Sequence, residues 1–357
     1  MRAAWYERRG PARDVLVVGE MPIPEPGAGE VRIRLAYSGI NPGDVKKRSG
    51  WQSSPMPFPR VVPHSDGAGF IDAVGAGVPP ARVGEAAWCY GAQSYRAFGT
   101  AAEYVVVPGE LAVPLPGGAR SQPELLEQAA CLGIAGITGH RAVFAAGPVA
   151  GLNVLVWGAA SGVGAVALQM ANRAGGRVLA VVRRAEQLPA VRAMGAAAAW
   201  LADDPALADR IRDAAPEGVH RVAEVDFAAH IDINAAVMAT GGVISAYYSS
   251  ADRPDMPYWK LAFADVSLRL LGSDDFPAAV KADAGRELTA ALLEGRLHTS
   301  IAARLPLQEI ALAHERVERG AGGRVLLDLA ADAGAAHPKT PKRGRDAIWA
   351  PDGSQST

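Results

Sequence analysis

Alternating apolar and polar positions predict β-strands in the first third of the chain. In VRIRL, residues 31–35, Arg32 and Arg34 alternate with apolar residues, which is the period of a half-exposed strand. Short β-like runs follow, with frequent proline and glycine between them: GFIDAV, EAAWCY and AEYVVV. This spacing predicts a small, irregular β-barrel or sandwich.

The hydrophobic pattern changes near Gln122, where alanine-rich helical segments begin to alternate with short apolar runs. NVLVWG, residues 153–158, predicts a buried strand, and the helix that follows from about Gly162 carries one apolar stripe. The stripe consists of Val163, Val166, Ala167, Met170, Ala171 and Ala174. Further runs that predict strands are RVLAVV, HRVAEVDF, GGVISAYY and VSLRLLG. Strands that alternate with helices predict an α/β fold with a parallel, doubly wound sheet.

The remaining pattern is shorter and ends in a polar segment. It predicts a helix at about 280–294 and a strand at GRVLLDL. Residues 331–357 include KTPKRGR and DGSQST, and this composition predicts a disordered, solvated tail. The alternative interpretation is that the four basic residues of KTPKRGR contact an anionic partner.

Composition and charge exclude several classes of function. The 357 residues favour two domains, and the net charge of -1 gives no general attraction to nucleic acid or anionic lipid. Two cysteines, Cys89 and Cys131, exclude a disulfide framework and fit a reducing compartment. We find no signal-peptide core, and no apolar run approaches the ~20 residues that span a bilayer. We therefore expect a cytoplasmic protein without membrane or nucleic-acid partners.

The segment NVLVWGAASGVGAVALQMA carries the strongest chemical signal. A strand, a tight glycine turn and an amphipathic helix place backbone N–H groups and the positive helix end against a pyrophosphate. The predicted cofactor contacts in this turn are Gly158, Ser161, Gly162, Val163 and Gly164. A glycine turn alone is weak evidence, because an ordinary strand-to-helix corner also uses one; here the flanking strands and helix match the motif.

The end of the next predicted strand favours NADPH over NADH. An NAD site needs a carboxylate about 20 residues after the turn, but this chain has Arg183 and Arg184 there. A guanidinium group can pair with a 2′-phosphate in bidentate geometry. The alternative interpretation is two solvated arginines at a strand end.

Taken in order, these motifs resemble the medium-chain dehydrogenase/reductase superfamily, in particular its zinc-free quinone oxidoreductase (zeta-crystallin-like) branch. The matching segments are GINPGDVKKRSG, PHSDGAGFIDAVGAGV, EQAACLGIAGITGHRAVF and GAASGVG. The resemblance implies a GroES-like catalytic domain at residues 1–126 and 275–330, and a Rossmann NADPH-binding domain at 127–274. It also implies a homodimer through edge pairing of the Rossmann sheets, for which the VSLRLLG strand is available.

The same resemblance bears on the loop VVPHSDGAGF. In the zinc enzymes of the superfamily, a cysteine ligand occupies the position of Asn41, and a histidine and a glutamate occupy the positions of Ser65 and Asp66. A further cysteine ligand lies at about the position of Ile134. None of these ligands is present, so we expect no metal. His64, where the family usually has glycine, is expected to pack or hydrogen-bond within the loop.

The resemblance also implies the catalytic residues and the reaction. Asn41 is expected near the nicotinamide, where its amide could donate to a substrate oxygen, and Asp44 in the same pocket wall; a turn-capping Asn41 is the alternative. Lys46 and Gln52 replace tyrosines of the family. Lys46 could attract a carboxylate or a CoA phosphate, although a solvated lysine is the favoured interpretation. The expected substrate is a quinone or an α,β-unsaturated carbonyl, reduced by hydride from NADPH.

Three more residues are expected to contact the cofactor. Thr138 corresponds to a threonine near the nicotinamide, or else is an interior helix residue. Tyr247 and Tyr248 either stack on the cofactor or pack at the sheet edge. Two other functions remain open at this point: reduction of a charged enoate or enoyl thioester, and NADPH binding with little catalysis.

Overall fold

The computed structural model describes residues 1–50, 55–119 and 122–330. Gln52 and the polar segment 331–357 lie outside the described residues, so the predictions made for them stay predictions. In the described part no helix is long and apolar enough to cross a membrane.

The strands, in chain order, are β1 Arg2–Trp5, β2 Val17–Glu20, β3 Glu30–Ile40, β4 Asp66–Val74, β5 Ala86–Cys89, β6 Tyr104–Pro108, β7 Ala112–Pro114, β8 Asn153–Trp157, β9 Arg177–Val182, β10 Ala198–Leu201, β11 Val219–Glu224, β12 Met238–Ala246, β13 Ser267–Leu270, β14 Ile301–Pro306 and β15 Arg324–Asp328. The helices are α1 Ala12–Val15, α2 Pro42–Ser49, α3 Pro123–Ala130, α4 Gly133–Phe144, α5 Gly162–Arg173, α6 Leu188–Ala193, α7 Leu207–Ala214, α8 Phe227–Val237, α9 Tyr258–Phe263, α10 Ala278–Leu293 and α11 Ile310–Glu318.

One sheet combines strands from both ends of the described chain. Its order is β14-β15-β3-β4-β5-β7, with β6 also paired to β3, and β1 and β2 form a separate hairpin. The alternation in VRIRL is realised on β3, where Val31, Ile33 and Leu35 are buried and Arg34 is exposed. This sheet is the β-rich, GroES-like half of the molecule that the sequence predicted.

The other sheet is parallel and has the order β10-β9-β8-β11-β12-β13. Helices cover both faces, and the predicted stripe of α5 packs Val166, Ala167 and Met170 into the interior. This sheet is the predicted doubly wound, Rossmann-like half, and the α/β fold class is confirmed. The domain boundaries proposed from the sequence remain a prediction.

Five strands were not predicted, and the shortest of them, β7, has three residues. β1 and β2 each have four residues, and β10, AAWL, lies in an alanine-rich stretch that is typical of helices. β14 lies at a sheet edge, and its Arg304 is exposed. Short strands of this kind form because a neighbouring strand supplies hydrogen bonds, which local sequence patterns do not reveal.

Polar contacts join the two halves beside the cleft between them. Ser94 Oγ donates to Asp274 Oδ1 at 2.6 Å, and Lys47 Nζ lies 3.5 Å from Asp274 Oδ2. Tyr95 OH donates to the Asp275 carboxylate at 2.9 Å. The loop after β5 and the end of α2 are therefore fixed against the segment that follows β13.

The β13 edge of the Rossmann-like sheet is apolar and open. All four residues of β13 are exposed, and Leu270 has 78% of its surface accessible. On the neighbouring α9, Trp259 and Phe263 are 68% and 84% exposed. An edge strand beside exposed aromatic side chains is a surface suited to association.

Candidate active site

A buried cluster of Asn41, Asp66 and Arg324 lies where β3, β4 and β15 meet α2 and α4. Arg324 Nη2 lies 3.0 Å from Asp66 Oδ2, and Arg324 Nη1 donates to Asn41 Oδ1 at 2.6 Å. Asn41 Nδ2 donates to Asp66 Oδ2 at 2.7 Å, and Ile134 N donates to Asp66 Oδ1 at 2.8 Å. No member of the cluster is more than 5% exposed. The three side chains form a closed network with one buried cation and one buried anion.

Sheet register brings this cluster together. β15 pairs antiparallel with β3 so that Val325 faces Ile40, which places Arg324 beside Asn41. β4 pairs with the other side of β3, where Gly39 faces Asp66. The central position of β3 therefore brings together residues that are 258 positions apart in the sequence.

Asp66 is a carboxylate in this network. Burial raises the pKa of Asp66, whereas Arg324 and the N–H groups of Asn41 and Ile134 lower it. Each of these hydrogen-bond partners is a donor, and a protonated carboxyl group would present its own hydrogen to them without an acceptor. The ionised form is therefore the one that the geometry supports.

Asp44 supports Asn41 from the first turn of α2. It is 4% exposed, and its Oδ2 accepts a hydrogen bond from Asn41 N at 2.8 Å. Burial, and then the negative charge of Asp66, raise the pKa of Asp44 to about 7, although the bond from Asn41 lowers it. Asp44 thus holds the start of α2 and titrates near neutral pH. The predicted turn-capping interpretation of Asn41 is confirmed at its backbone, while its side chain belongs to the cluster.

His64 is a hydrogen-bonding loop residue, as expected. Its Nδ1 lies 2.9 Å from Ser38 Oγ, and its Nε2 lies 2.9 Å from Nε2 of His314 on α11. Its φ of 76° is in the left-handed region, which fits a position where the resembling family has glycine. Burial lowers the pKa of His64 and of His314, that of His314 to about 3, so both rings are neutral.

Arg324 is the residue that sequence reasoning missed. The segment GRVLLDL was interpreted only as a strand, and its first side chain received no role. The available signal was a charged residue directly before the apolar residues Val325, Leu326 and Leu327, which are fully buried in the structure. Its partners come from distant parts of the chain, so the pattern alone could not identify them.

The glycine turn has the predicted strand-turn-helix form. Gly158 has a φ of 60°, and a Cβ atom on Gly164 would lie only 2.2 Å from Gly158 O, so both positions need glycine. Ser161 caps α5 and accepts from Gly164 N at 3.2 Å. The N–H groups of Gly162 and Val163 begin the helix and have no intrahelical acceptor. Two backbone donors at a positive helix end fit a pyrophosphate.

Arg183 and Arg184 follow β9 and are exposed, as a phosphate-binding pair requires. Arg184 Nε lies 2.7 Å from Glu186 Oε1, so one of the two guanidinium groups is already paired with a carboxylate. Sequence reasoning did not consider Glu186. Arg183 is therefore the better candidate for contact with a 2′-phosphate.

The remaining predicted site residues lie on α2, on α4 and directly after β12. Lys46 Nζ lies 3.6 Å from the ring centroid of Tyr248, so the favoured interpretation of Lys46 as simply solvated is wrong: the amine bridges the two halves. Tyr247 is half-buried, and burial of its hydroxyl group strongly raises its pKa. Thr138 is a buried residue of α4, one turn after Ile134.

The donor groups of Asn41 and Asp66 differ from a zinc-ligand set. Asn41 supplies an amide, and the carboxylate of Asp66 is held by a guanidinium group and two N–H donors. Within residues 1–50, 55–119 and 122–330, no three His, Cys, Asp or Glu side chains are grouped as metal ligands. A divalent cation here would have to displace the Arg324 guanidinium group.

Comparison with known proteins agrees with this architecture. The alcohol dehydrogenase GroES-like domain family matches residues 27–117. The quinone oxidoreductase of Rattus norvegicus is 29% identical over 339 residues, which cover 92% of this chain and 98% of that protein. A solved NAD-dependent alcohol dehydrogenase superposes with a TM-score of 0.79 at 27% identity, covering 92% of this chain and 100% of the other. A mycobacterial structure complexed with NADPH gives 0.77 at 25% identity, with the same coverage of 92% and 100%.

Three findings agree with one another. They are the matched domain, the fold of both halves and the similarity to quinone oxidoreductases. They extend over nearly all of the described chain. The chain contains an alcohol dehydrogenase GroES-like domain and is similar, over nearly all of the described residues, to quinone oxidoreductases of the medium-chain dehydrogenase/reductase type.

Proposed function

We propose that this protein is a zinc-independent, NADPH-dependent oxidoreductase that reduces a quinone or an α,β-unsaturated carbonyl. The observation that carries the proposal is the position of Arg324. Its guanidinium group is hydrogen-bonded to Asn41 and Asp66. The family resemblance implies that zinc enzymes of the superfamily have metal ligands at these two positions. A fixed organic cation thus stands where those enzymes place a metal ion.

The cofactor proposal rests on the glycine turn and on the charge at the end of β9. The turn offers the N–H groups of Gly162 and Val163, and Arg183 is exposed beside it without a carboxylate within salt-bridge distance in the described chain. The relatives are divided on this point, since one solved neighbour is NAD-dependent and another is complexed with NADPH. The two arginines favour NADPH, because an NAD site needs a carboxylate at this place.

Bound NADPH would supply the hydride, and the chain's own residues would orient and polarise the acceptor. Asn41 uses one side-chain N–H for Asp66, so its second N–H is available to a substrate oxygen. The positive charge of Arg324 lies behind Asn41 and favours negative charge that develops on that oxygen. Reduction of a quinone to a hydroquinone takes up one hydride and one proton, and this balance needs no metal.

The test is NADPH consumption by protein treated with a chelator. The acceptors are p-benzoquinone, a neutral enone and a carboxylate-bearing enoate, and NADH serves as the cofactor control. Turnover that survives chelation and prefers NADPH supports the proposal. Activity that disappears with the metal and returns with added zinc would contradict it. Tight NADPH binding without consumption of NADPH would favour a cofactor-binding protein with little catalysis.

A second candidate is reduction of a charged enoate or enoyl thioester, and the position of Lys46 favours it. The amine is held over Tyr248 at the cleft, where it could meet a carboxylate or phosphate of the substrate. Lys46→Gln should then raise KM for the charged enoate but not for the neutral enone. Lys47→Gln removes the same charge from the same helix and is the matched control. An equal loss with both acceptors would reject this candidate.

We also propose that two copies of the chain associate along β13. The strand is an unpaired edge of the parallel sheet, and Leu270, Trp259 and Phe263 expose large apolar surfaces next to it. Antiparallel pairing of two such edges would satisfy the open backbone groups and cover the aromatic side chains.

A further inference from the structure

Three arginines meet on the face of the Rossmann-like sheet that packs against α4. In the register of the strands, Ser245 of β12 lies between Ala223 of β11 and Arg269 of β13. Arg221 precedes Ala223 by two residues and therefore points to the same face. Its Nη2 donates to Ala146 O, just beyond the end of α4.

Arg221 is the buried member of this cluster. It is 4% exposed, and its Nε and Nη1 atoms have no hydrogen-bond partner among the described residues. Ser245 Oγ is fully buried nearby and has no partner there either. Unpaired buried donors, above all charged ones, are costly, so these groups are arranged for a partner that accepts hydrogen bonds.

Arg269 repels both Arg141 and Arg221, and none of the three is paired with an acid of the described chain. Burial, and then repulsion by Arg269, lower the pKa of Arg141 and of Arg221. No carboxylate of the described chain lies within 4.0 Å of a guanidinium nitrogen of Arg141, Arg221 or Arg269. The nearest acid on the cavity wall is Asp275, and its carboxylate accepts a hydrogen bond from Tyr95 OH at 2.9 Å.

A cavity opens directly onto this cluster. It has a volume of about 440 Å³, and Arg141, Arg269 and the backbone around Gly272 line it. Arg221 and Ser245 lie on the same sheet face behind Arg269. The cavity lies beside β13, and none of the predicted cofactor-binding residues lines it.

We propose that this cavity binds a small oxyanion, a phosphate or a carboxylate, between Arg141 and Arg269. The anion would accept hydrogen bonds from both guanidinium groups and offset the repulsion that Arg221 experiences. The site is separate from the glycine turn and from Arg183, and it does not depend on the proposed reductase activity.

The experiment is thermal unfolding of the full chain in inorganic phosphate and in chloride at matched ionic strength, with citrate as the carboxylate probe. Phosphate at ten times its Kd should raise the Tm of the wild type by about 2 °C. Arg269→Gln and Arg141→Gln should each abolish this shift. Arg183→Gln is the matched control, because it removes an exposed arginine at the predicted cofactor-phosphate site, and it should keep the shift.

Chloride alone provides the second readout. Arg269→Gln removes a repelling charge, so its Tm in chloride should be no lower than that of the wild type. A lost phosphate shift in this variant then reports lost binding and not lost folding. A shift with citrate alone, abolished by the same two variants, assigns the site to carboxylates. The proposal is overturned if neither probe shifts the wild type, or if Arg183→Gln abolishes the shift while Arg269→Gln retains it.

Discussion

Arg324 and Asp66 form a buried ion pair, with 3.0 Å between Nη2 and Oδ2, where β15 and β4 flank β3. Neither side chain is more than 5% exposed. A buried charge is tolerated only with a partner and further hydrogen bonds, and here Asn41 and Ile134 N supply them. Arg324, Asp66, Asn41 and Ile134 N therefore form one buried network in which each charged group has an oppositely charged partner.

Removal of Arg324 should destabilise the protein and impair the reaction together. Arg324→Leu leaves the Asp66 carboxylate buried without its cation, which typically costs about 3–5 kcal/mol. Urea unfolding measures this loss, and kcat for the best acceptor should fall as well. The double variant Arg324→Leu, Asp66→Asn should recover a large part of the stability but not the activity. A single variant that unfolds like the wild type would show that the ion pair has no structural role.

Arg183→Glu should shift the cofactor preference toward NADH. A guanidinium group that binds the 2′-phosphate contributes on the order of 1.5–3 kcal/mol, so kcat/KM for NADPH should fall about tenfold or more. Steady-state kinetics with both cofactors checks this expectation. Glu186→Gln is the informative companion, because it frees Arg184 from its carboxylate and should lower KM for NADPH. Unchanged selectivity in Arg183→Glu would refute the assignment of NADPH to this residue.

Asp44 should make the protein less stable as the pH rises through neutrality. The pKa of Asp44 is about 7 in the folded protein, above the ordinary value of 3.8. Between these values the folded protein keeps a proton that the unfolded chain has lost, so stability decreases as the pH rises and is constant above the folded pKa. From pH 6 to 8 the wild type should lose about 1.4 kcal/mol more than Asp44→Asn. Parallel pH profiles of the two proteins would contradict the raised pKa.

The His64–His314 pair should act in the opposite direction at acidic pH. Burial lowers the pKa of both rings, so below about pH 6.5 the unfolded chain takes up protons that the folded protein refuses. Stability is therefore lost as the pH falls. His314→Gln should reduce the slope of unfolding free energy against pH by about 1 kcal/mol per unit between pH 5 and 6. Denaturant titrations at several pH values measure the slope, and an unaltered slope would reject this origin of acid sensitivity.

Association through β13 predicts a variant that separates the copies. Leu270→Lys places a charge on the exposed edge strand and should convert a dimer into a monomer in sedimentation experiments. Val83→Lys is the matched control, because Val83 is also an exposed apolar residue, at 50%, but lies in the other half of the molecule. If Val83→Lys dissociates the dimer and Leu270→Lys does not, the interface lies elsewhere.

The sequence predicted those features that depend on local patterns. RVLAVV forms β9 over the same six residues, Arg177–Val182, and the helix expected from about Gly162 is α5. Both follow from short-range periodicity next to glycine turns. Local patterns were therefore sufficient to predict the fold class and the glycine turn.

The contacts that define the site were less accessible, because they join distant residues. Arg324 reaches Asp66 only through the pairing of β15 with β3, and His314 reaches His64 across 250 positions. Lys46 was expected to be solvated, yet its amine contacts the ring of Tyr248, because the folded chain brings α2 next to the residues that follow β12. A single sequence contains no periodic signal for such pairs.

The long separation of Arg324 from its partners has a consequence for how the cleft is assembled. Until β15 pairs with β3, the Asp66 carboxylate would be enclosed by Asn41 and α4 without a cation. The native structure around Asp66 is therefore not stable before this pairing. The GroES-like half therefore completes its folding only after β15 has been synthesised, and β15 follows the whole Rossmann-like half in the chain. Assembly of the catalytic cleft is in this way coupled to late folding events, and partially folded chains would lack a competent site.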